Sequence, residues 1–300
     1  MAEDIPFVRE IDFDYGGVAQ VSPLIRRVVA RNPSAFTFHG TGTYIVGRGE
    51  VAVIDPGPDL PEHLAAIEAA IAGERVSHIV VTHTHLDHSP LSRPLKARTG
   101  APIFGFGPHG GGRHEGPEVE EGGDMDFVPD MVLRHGAVLS GKGWTLEAVH
   151  TPGHTSNHLC FALAEENALF SGDHVMGWST TVVSPPDGNM RDYLASLDVL
   201  MARTEEVYWP THGAAIPDPR RFVRALAGHR RAREAQIADC IRAGLCTIPE
   251  MVERMYQAVP RNLHGAARHT VLAHLIHMVE TGHAAADDGA ATAAARYRLR

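Results

Sequence analysis

The chain has 300 residues, 44% of them apolar, and a net charge of −9. That is enough for one large domain, or a domain with an appendage, and it excludes a wholly disordered chain. No apolar run approaches the ~20 residues of a membrane span, and Met1-Ala2-Glu3-Asp4 is acidic where a secretory leader is basic and apolar, so a cytoplasmic protein with no membrane partner is expected.

Charge divides the chain. Residues 1–218 carry 14 Lys+Arg against 29 Asp+Glu, net −15, whereas residues 219–282 carry 10 Arg against 5 Asp+Glu, net +5. The expected domains are therefore 1–218 and 219–300. Cys160, Cys240 and Cys246 stand at no metal-ligand spacing and read as small buried hydrophobes; a Cys240–Cys246 redox pair is the alternative, disfavoured in a reducing compartment.

In chain order, residues 21–30 hold a candidate first strand. Tyr44-Ile45-Val46 and Val51-Ala52-Val53-Ile54 flank Gly47-Arg48-Gly49-Glu50 and read as a hairpin. Asp55 follows, either as a turn residue before Pro56 or as a group orienting a ligand histidine. Leu60, Leu64, Ile67, Ala70 and Ile71 recur at helical spacing, and Arg75, Ser77 and His78 are expected to close that helical segment. The β-branched run Ile79-Val80-Val81 is then a short buried strand.

At its end stand His83, His85, Asp87 and His88. Alternate side chains of an extended segment point the same way, so His83 and His85 can serve one ion, with Asp87 and His88 turned toward a second position. Imidazole with carboxylate and no thiolate suits zinc, and also iron or manganese. Four donors in six residues argue against incidental histidines, even in a chain with 20 of them. Ser89-Pro90 reads as an N-cap and first helical residue.

Residues 105–143 are glycine-rich and carry His109, His114, Glu115, Glu118, Glu120, Glu121, Asp124, Asp126 and Asp130. They read as a long acidic loop, either a lid over the site or a solvated insertion, with both histidines exposed rather than ligating. Strands are then expected at 144–149, 159–163, 168–170 and 207–209, and their ends carry His154, Asp173 and His212. His150 and His174, next to these, are either hydrogen-bond donors behind the ligands, acids for a leaving group, or structural. Tyr193, Leu194, Leu197, Leu200 and Met201 form an apolar helical stripe.

The ordered set His83, His85, Asp87, His88, His154, Asp173, His212 resembles the metallo-β-lactamase fold superfamily. Its His-x-His-x-Asp-His motif is similar to residues 83–88, and its later motifs to Thr151-Pro152-Gly153-His154-Thr155, Ser171-Gly172-Asp173 and Pro210-Thr211-His212-Gly213. The resemblance covers residues from about 36 to 216. It implies an α/β (α+β) fold, the αββα sandwich of two mixed sheets with helices outside. It also implies two metal ions, one on His83, His85 and His154, the other on Asp87, His88 and His212, bridged by Asp173. Two such ions ~3.5–4 Å apart hold a bridging hydroxide and aim it at a carbonyl or phosphorus, with Asp87 as the catalytic carboxylate that orients the water. Ser89 departs from the glycine that often follows the motif.

Beyond residue 219, a long helix to about Gly244, a Thr247–Glu250 capping box opening a second helix, and a third helix from about Asn262 to Thr281 precede an Asp287-Asp288-Gly289 turn. This resembles the small helical winged-helix domain attached to certain β-lactamase-like proteins, some of which act on single-stranded RNA. The implied function is a dinuclear zinc hydrolase of an ester, thioester or phosphodiester, its partner a small-molecule substrate or RNA. The +5 charge favours nucleic acid; the −15 of the catalytic part and the alanine-rich tail argue against it. Packing of the third helix on the catalytic domain, or on a second copy in a homo-oligomer, is the alternative use. A mono-iron persulfide dioxygenase keeps the same motif and is the competing enzyme. A flavo-diiron oxidoreductase would replace His85 by a carboxylate. A non-catalytic nucleic-acid-binding protein is disfavoured by the complete ligand set.

Overall fold

The structure, a computed structural model, describes residues 4–112, 122–287 and 289–300. His114, Glu115, Glu118, Glu120, Glu121 and Asp288 lie outside the described residues.

Seven strands form the first sheet in sequence order: β1 (Val18–Gln20), β2 (Ile25–Val29), β3 (Gly42–Arg48), β4 (Glu50–Ile54), β5 (Arg75–Val80), β6 (Ile103–Gly105) and β7 (Met131–Val132). β1 to β4 pair antiparallel and β4 to β7 parallel. Parallel neighbours need crossovers, supplied by α1 (Pro61–Ala70) between β4 and β5 and α2 (Ser92–Thr99) between β5 and β6. The second sheet runs β12 (Val207–Pro210), β11 (Ala168–Gly172), β10 (Leu159–Leu163), β9 (Trp144–His150), β8 (Val138–Gly141), with α3 (Met190–Met201) crossing between the parallel pair β11 and β12.

Strand alternation sorts the apolar residues into layers. Tyr44, Val46, Ala52, Ile54 and Val80 of the first sheet meet Leu146, Ala148, Leu159, Phe161 and Phe170 of the second in the central core. The intervening Ile45, Val51, Val53 and Ile79 face outward onto Ile67 of α1 and Leu95 of α2. On the far side, Val149, Cys160, Ala162 and Leu169 pack on Tyr193, Leu197 and Leu200 of α3 and on Phe222, Val223 and Leu226 of α4 (Pro219–Arg242). The result is the αββα sandwich.

Helix α4 then leaves this core, and its second half buries Ile237, Cys240 and Ile241 against α5 (Ile248–Met255), α6 (His264–Glu280) and the hairpin β13 (Ala284–Ala286) and β14 (Tyr297–Leu299). Glu250 accepts from the Thr247 backbone N–H at 2.9 Å and from Thr247 Oγ1 at 2.7 Å, anchoring the start of α5. Three helices and a two-stranded wing make the winged helix. All three cysteines are free. Among the described residues no helix is long and apolar enough to cross a membrane.

Three local expectations are corrected. Arg75, Ser77 and His78 belong to β5 itself and do not end a helix. Ser89 does not cap α2, which begins three residues later at Ser92; its hydroxyl donates to Asp124 Oδ2 at 2.7 Å instead. The region 105–143 is not one loop, because β7 and β8 fall within it, and Asp124 is buried where it also receives Arg93 at 2.8 Å.

Candidate metal centre

The seven sequence-selected residues come together at one rim of the sandwich. His83, His85, Asp87 and His88 lie on the loop after β5, His154 on the loop after β9, Asp173 directly after β11 and His212 just beyond β12. All seven are buried; His85, at 8% exposure, is the most open and marks the side that faces solvent.

Their ligand atoms converge. His85 Nδ1 lies 3.1 Å from His83 Nε2 and 3.1 Å from His154 Nε2. Asp87 Oδ2 lies 3.3 Å from His88 Nε2 and 3.1 Å from His212 Nε2. Asp173 Oδ2 stands between these triads, 3.3 Å from His212 Nε2, 3.5 Å from His88 Nε2 and 3.9 Å from His154 Nε2. Donors held ~2.0–2.1 Å from a tetrahedral ion are ~3.3–3.4 Å apart, so these spacings fit a metal shell. His88 Nε2 and Asp173 Oδ1 are buried without a hydrogen-bond partner, a costly arrangement that a cation relieves. Among the described residues, the groups able to hold an ion are His83, His85 and His154; Asp87, His88 and His212; and the overlapping set His83, His88 and Asp173.

Groups behind the ligands fix which nitrogen faces inward. His88 Nδ1 donates to Asp55 Oδ2 at 2.9 Å, His154 Nδ1 to the Val182 carbonyl at 2.8 Å and His212 Nδ1 to the Gly40 carbonyl at 3.2 Å. Thr82 Oγ1 donates to Asp55 Oδ2 at 2.7 Å and therefore accepts from His83 Nδ1 at 3.0 Å. Asp55 thus does both things foreseen for it. It turns the chain at φ +48° and its carboxylate orients His88 directly and His83 through Thr82.

Electrostatics divides the ligands. Burial, reinforced by neighbouring imidazoles, holds His83 and His85 well below the usual histidine range, and burial lowers His154 as well. Burial also opposes charge on His88 and His212, but the Asp87 and Asp173 carboxylates outweigh it. His88 is raised well above its ordinary value and His212 to about 10. Asp87 and Asp173 pay the burial penalty and are nonetheless lowered, because His88 and His212 stand beside them.

Several contributors carry no sequence signal. Thr41 Oγ1 donates to Asp87 Oδ2 at 3.0 Å. Asn157 donates to Thr84 Oγ1 at 2.8 Å, which also pairs with His109 Nδ1 at 2.9 Å, so His109 is tied to the metal loop. His158 accepts from the Asp173 backbone N–H at 3.2 Å and pairs with Thr151 at 2.9 Å. Gly172 makes room for it: at φ +51°, a Cβ there would sit 2.5 Å from His158 Nε2. The His150 ring stacks on Phe106 and bonds the Ser156 carbonyl at 3.2 Å, while His174 is wholly buried against Tyr193 and held down to about 3 by burial. His174 is therefore a core residue.

A sandwich of this kind with a buried His/Asp cluster at its rim has the make-up of a metal-dependent enzyme. The metallo-beta-lactamase superfamily profile matches residues 37–212, and the beta-lactamase associated winged helix domain matches residues 247–292. The chain belongs to the metallo-beta-lactamase superfamily. It is similar to the atrochrysone carboxyl ACP thioesterase of Aspergillus terreus, 32% identical over 260 residues covering 80% of this chain and 73% of that one. The lactamase-like protein ptaB of Pestalotiopsis fici is 30% identical over 254 residues, covering 80% and 74%. Among solved structures, a beta-lactamase domain protein from Burkholderia ambifaria shares the fold at TM-score 0.78 and 22% identity, covering 99% of this chain and 97% of that one. The family protein TTHA1429 from Thermus thermophilus shares it at TM-score 0.75 and 24% identity, covering 94% and 100%.

Proposed function

We propose that the chain is a dinuclear zinc hydrolase of acyl thioesters, adding water across the acyl–sulfur bond to give a carboxylic acid and a thiol. The observation that carries its dinuclear part is Asp173 Oδ2, which lies within 3.3–3.9 Å of nitrogens from both triads and so would be available to an ion in either one. On this reading one ion takes His83, His85 and His154, and the other Asp87, His88 and His212. Nitrogen and oxygen donors without thiolate suit zinc, and iron or manganese accept the same set. Ions bound there supply Lewis acidity and lower the pKa of water toward neutrality.

The protein's own groups do the rest. Asp87, kept ionised and held by Thr41, accepts a hydrogen bond from the attacking water and fixes its line of approach to the acyl carbon. Asp55, Val182 and Gly40 hold the imidazoles against reorientation as charge develops. Thioester is favoured over phosphodiester by the thioesterases among the relatives. The basic charge of residues 219–282 is the observation on the side of single-stranded RNA. Part of that charge is spent internally, since Arg230 is buried and donates to the Thr181 carbonyl, and Arg233 lies over the Tyr256 ring.

The test is thiol release from acyl thioesters by zinc-loaded protein, beside a single-stranded RNA and a phosphodiester. Thioester turnover lost in Asp87→Ala supports the proposal. RNA cleavage without thioester turnover refutes it.

A further inference from the structure

The ring of His109 is held more firmly than a histidine on a surface turn needs to be. Its Nδ1 pairs with Thr84 Oγ1 at 2.9 Å, and Thr84 belongs to the metal loop. Asn157 supports both partners. Its amide nitrogen donates to Thr84 Oγ1 at 2.8 Å and to the carbonyls of Gly107 and Pro108 at 3.2 Å each, while its Oδ1 accepts from Thr155 Oγ1 at 3.0 Å. Segment 122–124 closes the other side. The Leu86 N–H donates to the Gly122 carbonyl at 3.0 Å and the Asp124 N–H to the Thr84 carbonyl at 2.7 Å, which sets Gly123 opposite His85. A Cβ at Gly123 would stand 2.4 Å from His109 Cδ2, so the imidazole occupies the space that a side chain there would take.

These bonds also fix the proton. Thr84 Oγ1 accepts from Asn157, and its own hydrogen has His109 Nδ1 as its acceptor among the described residues. A neutral imidazole that accepts at Nδ1 carries its proton on Nε2. Among the described residues that N–H has no hydrogen-bond partner, and the ring is half-buried and not sealed from solvent. It lies beside His85, with ring centroids 5.8 Å apart, and His85 is the most open of the seven ligands. A substrate that approaches the first triad from solvent therefore comes in past His85 and meets this N–H.

We infer that His109 is a catalytic residue of the thioesterase proposed above, its Nε2–H donating to the acyl oxygen of the substrate; the inference rests on that reading for its substrate. When the water oxygen bonds to the acyl carbon, the carbonyl π pair moves onto the acyl oxygen, and an N–H fixed in advance meets that charge without reorganising. On collapse the pair returns, the carbon–sulfur bond breaks with its electrons on sulfur, and the proton lost by the water ends on the thiolate. His109 keeps its own proton throughout and acts as a hydrogen-bond donor alone.

Hydrolysis of S-benzoyl-N-acetylcysteamine is followed on zinc-loaded full-length protein and on His109→Ala and His109→Gln, the glutamine amide being able to place an N–H near the position of Nε2. In His109→Ala kcat is expected to fall about 100- to 1,000-fold with KM nearly unchanged, and His109→Gln is expected to recover about tenfold or more of that loss. Zinc dissociation constants, from chelator competition, stay at native values in both variants, because no ligand atom is touched. An unchanged kcat in His109→Ala overturns the role. So does a loss that glutamine does not relieve or that lowers zinc affinity alongside, which is what a packing residue would give. Should the native protein hydrolyse no thioester, the thioesterase reading fails, and calorimetric binding of phenylphosphonate, a tetrahedral oxyanion, to the zinc-loaded protein decides the donor separately. Binding weaker by about tenfold or more in His109→Ala supports it. Equal binding, or none by the native protein, overturns it.

Discussion

Replacing Asp55 by asparagine isolates the orientation of the ligands from their identity. The carboxylate is buried and receives four donors: the Thr82 N–H and hydroxyl at 2.7 Å each, His88 Nδ1 at 2.9 Å and Thr211 Oγ1 at 3.2 Å. Three of these reach Oδ2 and one reaches Oδ1. Asparagine keeps the backbone comfortable at φ +48° but has only one acceptor oxygen, so its amide N–H₂ must face donors on one side. If the oxygen stays with Oδ2, the Thr82 N–H loses its acceptor. If it turns to Thr82 N, His88 must flip to the tautomer with its proton on Nε2, the atom that faces Asp87 and Asp173. Loss of such a partner costs about 10–100-fold in metal affinity, or ~1.4–2.7 kcal/mol at 1.36 kcal/mol per decade. The weakened ion is expected to be the one on Asp87, His88 and His212, with a smaller effect at His83, which Asp55 reaches only through Thr82. Competition with a chromophoric chelator measures the two dissociation constants, and circular dichroism verifies the fold. Two ions bound at native affinity by Asp55→Asn would refute the orienting role.

The metal-free protein is expected to lose stability below about pH 6.5. His63, held down to about 4 by burial, and His174, held down to about 3, are neutral when folded, so the unfolded chain takes up protons first as pH falls. Stability then falls by about 1.4 kcal/mol per pH unit for each such proton until the folded value is reached. Urea midpoints at pH 7, 5.5 and 4.5 measure this, and a flat series contradicts it. At the other sign, His212 is raised to about 10 and is charged at neutral pH without metal, so its contribution holds below 6.5 and fades as pH rises toward 10. Zinc binding at pH 8 must therefore expel protons, seen as a binding heat that depends on the buffer's ionisation enthalpy; equal heats in phosphate and Tris would count against it. Gly172→Ala is expected to lower the melting temperature and metal occupancy together, because its Cβ would stand 2.5 Å from His158 Nε2 at φ +51°. A fully loaded alanine variant of native stability would show that the contact relaxes freely.

The six-residue run from His83 to His88 was legible in the sequence because four donors lie on one loop, and His154, Asp173 and His212 because each follows an apolar strand. The layers were reached only through the family resemblance: β3 and β4 are apolar and buried on both faces, so their own pattern does not say which face meets the second sheet and which meets the helices. What escaped depends on partners distant in sequence. Thr41 meets Asp87 across 46 residues and Asn157 meets Thr84 across 73, and neither residue type announces such a role. Ser89 looked like a cap because Ser-Pro opens many helices, but Asp124, 35 residues later, offered its hydroxyl a buried acceptor. Strands β7 and β8 span only two and four residues, too short for alternation to register. Helix α4 was legible from end to end, from Pro219 to Arg242, yet its division between two cores was not, since periodicity reports a buried face without saying what buries it.

The most direct test of the account is the metal content of purified protein equilibrated with zinc and dialysed, measured by elemental analysis alongside Asp173→Ala. Two ions per chain in the native protein and a loss of occupancy in the variant are the predicted result. A single ion per chain that is unaffected by removing Asp173 would contradict the dinuclear centre, and a single iron in protein as isolated would point to oxidative rather than hydrolytic chemistry.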